Sequence, residues 1–449
     1  MRFTRLLWAA FAGAVAASLT SAAEPPAATV EAVPAPAPSD VTPVDLETAL
    51  NWTLSRNPDL VALRPNVKAS AAAVAVARQF PTELNPSLSV DVSPWTYERD
   101  FGEGARRLGT SVAVKWAQPI GPGRRGSHLA VAQASYDQTQ WRVLQAELLA
   151  LVQTYRLHQT ATYRREKLEV ARQLAEFNEQ LVRTIRRQAE AAQAAPTCLV
   201  LAEVENQSMQ QRLRVADQQY LDAITELRKQ IGLPEYAGTL VPTGSLKIPE
   251  NPVSNDAEQL VGIALAGHPD IQVATAQANT SRAAVALARA ERIPLSSVAP
   301  IYSRDETGTS FYGVAVDTPV PILNPGRRLV WQREAEYQRD SIAAEQTRVR
   351  IEAAVKASLA KWRQTHRLVS DVMDTAKVIE SQTQKMERLY TAGQTDLLQL
   401  LQVRQRLIDA ENAKLDMLWQ AIQAYADLLA ATGATPLLGS LPVACDESN

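Results

Sequence analysis

"PIGPGRRG", Pro119–Gly126, is answered about two hundred residues later by "PILNPGRRL", Pro321–Leu329. Each string closes a segment of alternating polarity and opens a run without glycine or proline, Ser127–Ala195 and Arg327–Ala392. As helix, each run would extend roughly 100 Å at 1.5 Å per residue, several times the usual length. Pro122 and Gly123, like Pro325 and Gly326, suit a sharp corner between strand and helix. Arg124 and Arg125, like Arg327 and Arg328, follow that corner, placed either for headgroups and carboxylates or as solvated charges of a structural turn. One four-residue string can recur by chance. The same string in the same surroundings marks an internal duplication.

The duplication extends outward in both directions. "LETALNWTLSRNPDL", from Leu46, and "AEQLVGIALAGHPDI", from Ala257, are amphipathic helices broken at the same place, because Pro58 and Pro269 interrupt them. Alanine-rich helices follow from Val67 and from Thr280. The period then changes to two. Leu88, Val90 and Val92 alternate with polar residues, as do Val112, Val114 and Trp116, and then Tyr312, Val314 and Val316. A fourth strand, "LSSVAPIYS", reads more weakly because Pro300 interrupts it. In the long runs the apolar positions step by four and three, as in Trp141, Leu144, Leu148, Leu151 and Tyr155, which is coiled-coil spacing. Breaks at Pro196-Thr197 and Gly393-Gln394-Thr395 turn each long helix back on itself.

Bulk properties narrow the function. Arg2 and Arg5 precede an apolar run of about 14 residues and small residues at 21–23, the pattern of an export signal. No cysteine near the cut argues for a lipid anchor there. The expected organisation is a signal peptide over 1–23, an Ala/Pro-rich linker over 24–44, a first repeat over 45–240, a linker over 241–256, a second repeat over 257–438 and a tail over 439–449. The net charge of −2 with dispersed basic residues does not imply nucleic acid. The four histidines are scattered, His366 on an apolar position, and no metal or nucleophile motif is present, so neither enzyme nor cofactor chemistry is expected. Cys198 and Cys445 form no disulfide framework.

This order of elements resembles the TolC family of outer-membrane efflux ducts, from Val44 to about Leu438. The specific matches are the paired Asn/His-Pro-Asp helices, the strand pairs closing on Pro-Ile, and the tip "LYTAGQTDLLQLLQ", with Tyr390, Gly393, Thr395, Leu397 and Leu398. The resemblance implies a mainly α protein with a small β part. It implies a homotrimer in which long antiparallel hairpins build a periplasmic α-barrel. Four strands per chain would build a twelve-stranded barrel in outer-membrane lipid. Four short strands cannot close alone, and hydrocarbon does not tolerate open edges. Trp95, Tyr97, Trp116, Phe311 and Tyr312 would serve as an aromatic girdle.

The implied function is passive export from a pump and a periplasmic adaptor, in tripartite efflux or type I secretion. A periplasmic adaptor and a soluble coiled-coil scaffold are the competing readings. The tips would form the gate and meet the adaptor through Tyr390, Gly393, Thr395, Asp396, Pro196, Thr197 and Glu203. Where family members often carry two aspartates, this chain has Gln399 and Gln402. That substitution predicts a weaker cation preference, unless Glu203, Glu205 or Asp396 supplies the charge. The first tip has Ala194-Ala195-Pro196 in place of the usual glycine.

Overall fold

The computed structural model describes residues 41–79, 82–93, 110–191, 195–233, 238–248, 256–305, 308–322, 324–392, 394 and 397–433. The signal, most of the first linker, Trp95, Tyr97, residues 249–255, the tail with Cys445, and Gly393, Thr395 and Asp396 lie outside them, as does the side chain of Tyr390.

Both repeats follow one order of parts, with three helices ahead of the strand pair in the first and two in the second. The first comprises β1 (Val41–Val44), α1 (Leu46–Arg56), α2 (Pro58–Leu63), α3 (Pro65–Arg78), β2 (Ser87–Ser93), β3 (Ser111–Ile120), α4 (Arg124–Glu190) and α5 (Pro196–Ile231). The second comprises β4 (Thr239–Pro242), α6 (Ala257–Gly267), α7 (Pro269–Glu291), β5 (Ser296–Arg304), β6 (Ser310–Asp317), α8 (Arg327–Thr391) and α9 (Leu397–Thr432). At 67 and 65 residues, α4 and α8 are the axes on which everything else is mounted.

The helices form one layer, four across. α4 packs against α5 and α9 along one half of its length and against α3 and α7 along the other; α8 packs against α9 and α7. α5 therefore continues the line of α3, and α9 that of α7. The joints show how the chain achieves this. Asn57 caps α2, its Oδ1 accepting from the amides of Asp59 and Leu60, while its Nδ2 donates to the Gln230 carbonyl at the end of α5, 2.7 Å away. Gly232, with φ 75°, ends α5 so close to α1 that a Cβ would lie 2.2 Å from the Arg56 carbonyl oxygen. Only glycine fits both constraints.

The core lies in the wall. Leu148, Val152 and Tyr155 of α4 meet Val355, Leu359 and Trp362 of α8 and Leu418, Ile422 and Tyr425 of α9. Tyr155 burial raises its phenol well above the ordinary range. On one face of the wall sits a second, smaller layer of α1, α6 and the parallel pair β1–β4. Here the structure departs from the linker reading. Val41–Val44 pairs with Thr239–Pro242, and Val44 is fully buried beside Leu227, Ile231 and Leu240.

β2, β3, β5 and β6 form one antiparallel sheet in that order. β5 is a full internal strand despite Pro300. It keeps its pairing to β6 at Pro300–Val314, and the β3 ladder lapses only opposite Pro300 and Ala299, with the same register on both sides. The proline thus removes ladder bonds without shifting the strand.

Candidate functional site

The register sorts the sheet into two unlike faces. Leu88, Val90 and Val92 lie beside Trp116, Val114 and Val112, then Tyr302 and Val298, then Tyr312, Val314 and Val316. This face is apolar yet uncovered: Leu88 is 65% exposed, Val314 69% and Tyr312 83%. A soluble sheet buries such a face. The opposite face carries Ser87, Ser89, Asp91, Ala113, Lys115, Ser297, Ala315 and Asp317, with Lys115 and Asp317 paired at 2.7 Å. Small and polar residues on one side and large apolar ones on the other suit a sheet between water and lipid. Of the expected aromatic girdle, Trp116 and Tyr312 are on the apolar face, joined by Tyr302 packed against Tyr312; Phe311 is on the polar one.

The corners turn out to be structural. Gly123 takes φ 77° and Gly326 φ 69°, conformations that disfavour any side chain. Arg124 donates to the carbonyls of Glu291 and Ile293 at the end of α7, and Arg125 to that of Arg78 at the end of α3. Each guanidinium satisfies orphan carbonyls at the negative end of a helix dipole. Arg124 also lies 3.6 Å from Glu83. Arg327 and Arg328 are exposed and have no partner among the described residues.

At the hairpin ends, Pro196 opens α5 and Thr197 follows it, both exposed. Glu203 pairs with Arg186 across the hairpin at 2.8 Å, so its charge is answered within the chain. Gln399 and Gln402 lie exposed in the first turns of α9. Below them Ile185, Val182 and Ala202 close the first hairpin around a small apolar core.

Sequence reading missed the edges of the helix layer. In its lower half the order is α5–α4–α9–α8, which leaves α5 and α8 with one neighbour each. α8 buries Ile351, Val355, Trp362 and Val369 on one side. On the opposite side Trp331, Ile342, Val349, Val378 and Leu389 recur at whole-turn intervals and are exposed, Trp331 at 65%. α5 repeats the arrangement, burying Ala202, Met209 and Leu227 while Val200 and Val204 are exposed opposite them. Two apolar stripes on opposite sides are what a helix inside a continuous wall requires. The signal was present in the sequence as apolar positions in excess of one seam.

No group of metal-ligating side chains occurs among the described residues. The buried histidines hold backbone. His268 Nδ1 accepts from the Asp270 amide to cap α7, and its Nε2 faces the Ala430 carbonyl at 3.0 Å. His158 Nε2 faces the Val44 carbonyl at 3.2 Å, and burial holds its imidazole below the ordinary histidine range despite that bond. His366 packs on Trp362.

Residues 49–233 and 260–434 each match the outer membrane efflux protein family, one match per repeat. The chain belongs to this family. It is an outer-membrane efflux channel protein, and not an enzyme. Among curated proteins it is 24% identical over 424 residues to the pyoverdine export outer membrane protein OpmQ of Pseudomonas aeruginosa, covering 87% of this chain and 85% of that one. Among solved structures, the Campylobacter jejuni CmeC outer membrane channel superposes with a TM-score of 0.70 at 14% identity, over 86% of this chain and 85% of that one. The open state of the Neisseria gonorrhoeae MtrE channel gives 0.67 at 17% identity, over 87% and 89%. This efflux protein shares their fold.

Proposed function

We propose that three copies of this efflux protein assemble into one duct, with a twelve-stranded barrel in the outer membrane and an α-barrel below it. The duct passively conducts solutes delivered by an inner-membrane pump through a periplasmic adaptor that docks at the hairpin ends. The observation that carries this reading is the pair of open edges in both layers. β2 and β6 each have one neighbour, and α5 and α8 each present a second apolar stripe. The two edges of a chain differ, so they suit a head-to-tail ring. OpmQ is named for export of pyoverdine, and we carry a cargo of that kind to this chain as part of the proposal.

Mass measurement in detergent after extraction from outer membranes tests the assembly, and conductance in planar bilayers tests the duct. Three chains per particle and a stable ohmic pore are expected. A monodisperse single chain that stays soluble without detergent overturns the reading.

A further inference from the structure

A cavity of 460 Å³ opens between α4 and α5, with its floor against α9. Arg164, Lys167 and Arg212 line it together with Val170, Leu174 and Val215. Only one of the three cations is neutralised: Lys167 pairs with Asp416 at 2.5 Å. Arg164 donates to the neutral amide of Gln219 at 2.6 Å and lies 5.1 Å from the centre of the Tyr163 ring. Arg212 has no hydrogen-bond or acidic partner among the described residues. Two uncompensated guanidinium groups over an apolar floor form a receptor for an organic anion.

The position of the cavity on α4 decides which compartment it faces. His158 and Arg165 of α4 hold the small second layer, through the carbonyls of Val44 and of Pro242 and Gly244. Lys167 lies nine residues beyond His158, and Leu174 nine beyond Arg165, about two and a half helical turns in each case. The cavity is therefore on the face of the wall opposite the added layer. In the proposed ring, a second layer on the outside leaves the lumen open, and that arrangement puts the cavity on the inside, facing the conducted solution.

We propose that this groove is an anion-binding station on the lumen wall, taking a carboxylate or sulfonate attached to an apolar body. The charged head sits on Arg164 and Arg212, and the body on Val170, Leu174 and Val215. Three such grooves would line the duct, favouring organic anions over cations of the same size. The inference rests on the trimeric duct reading.

The test is block of single-channel current in planar bilayers by naphthalene-2-sulfonate, compared with naphthylmethylammonium at equal concentration. Block by the anion at the lower concentration is expected, weakening with added salt. Arg164→Gln with Arg212→Gln should weaken anion block about tenfold, and Arg164→Lys with Arg212→Lys should restore most of it. Tryptophan fluorescence and particle mass would confirm that both variants assemble. Equal block by the two ions, or anion block unchanged in the glutamine variant, overturns the groove and leaves the duct standing. A protein that forms no pore overturns both.

Discussion

Asn57 and His268 hold equivalent places in the two repeats, and each side chain starts one helix while holding the end of another. Asn57 accepts from the Asp59 amide at 3.0 Å and donates to the Gln230 carbonyl; His268 accepts from the Asp270 amide at 3.1 Å and reaches the Ala430 carbonyl. Unlike residues thus do the same work, because amide and imidazole each present one acceptor and one donor. Removing either frees a helix N-terminus and strands a buried carbonyl. Asn57→Ala and His268→Ala should each cost about 2 kcal/mol, read as a lower thermal midpoint. His268→Asn should retain more stability than His268→Ala.

Acid should loosen the second layer through His158. Its imidazole is held below its ordinary value by burial, so the folded chain binds fewer protons there than the unfolded one. The contribution is complete above about pH 6.5, the unfolded value, and is lost as pH falls from there toward the folded value. Protease cleavage near β1 should therefore rise between pH 7.5 and pH 5.5. His158→Gln should abolish that difference.

Two glycine substitutions should have opposite signs. Gly232→Ala forces a Cβ into the Arg56 carbonyl at φ 75° and should prevent normal accumulation of the protein. Gly126, inside the first turn of α4, has nothing within 4 Å of a built Cβ. Gly126→Ala should leave expression unchanged or add up to about 1 kcal/mol of stability.

The two arginine pairs should separate folding from assembly. Arg124→Ala removes bonds to Glu291 and Ile293 carbonyls within the chain and should lower the thermal midpoint of the subunit itself. Arg327 follows the equivalent corner on α8, the edge helix, where α3 of a neighbouring copy would take the place of α7. Arg327→Ala should leave the subunit folded and speed dissociation of the detergent-solubilised particle, followed by native mass measurement.

Gln399 and Gln402 put exposed neutral amides at the start of α9, at the hairpin end proposed as the gate. Gln399→Asp with Gln402→Asp should raise the potassium-over-chloride permeability ratio several-fold, measured as a reversal potential under a salt gradient. An unchanged ratio would remove both residues from the gate.

Much of this architecture was legible because it is periodic and written twice. The Pro58 and Pro269 breaks, the alternating strands and the long glycine-free helices each follow from local chemistry. What escaped depended on distant partners. Val41–Val44 sits in Ala/Pro-rich surroundings without a period of its own; it is a strand only because Thr239–Pro242 and His158 receive it. Pro300 read as an interruption, yet its neighbours on β6 hold the register. Arg124 and Arg125 looked like surface charge until α7 and α3 ended beside them. The groove was invisible, since Arg164 and Arg212 line one cavity only when α5 folds back along α4.

The inequality of the two sides of each chain carries a genetic consequence. In the three-chain ring proposed above, a mutant whose β6 side is spoiled would keep a sound β2 side, and would still join a growing ring and then stall it. Co-expressed in equal amount with wild type, such an allele would leave roughly one particle in eight built wholly of good chains. Damage to a single side should therefore be dominant in a diploid test strain, whereas damage to the buried interior of the subunit should be recessive.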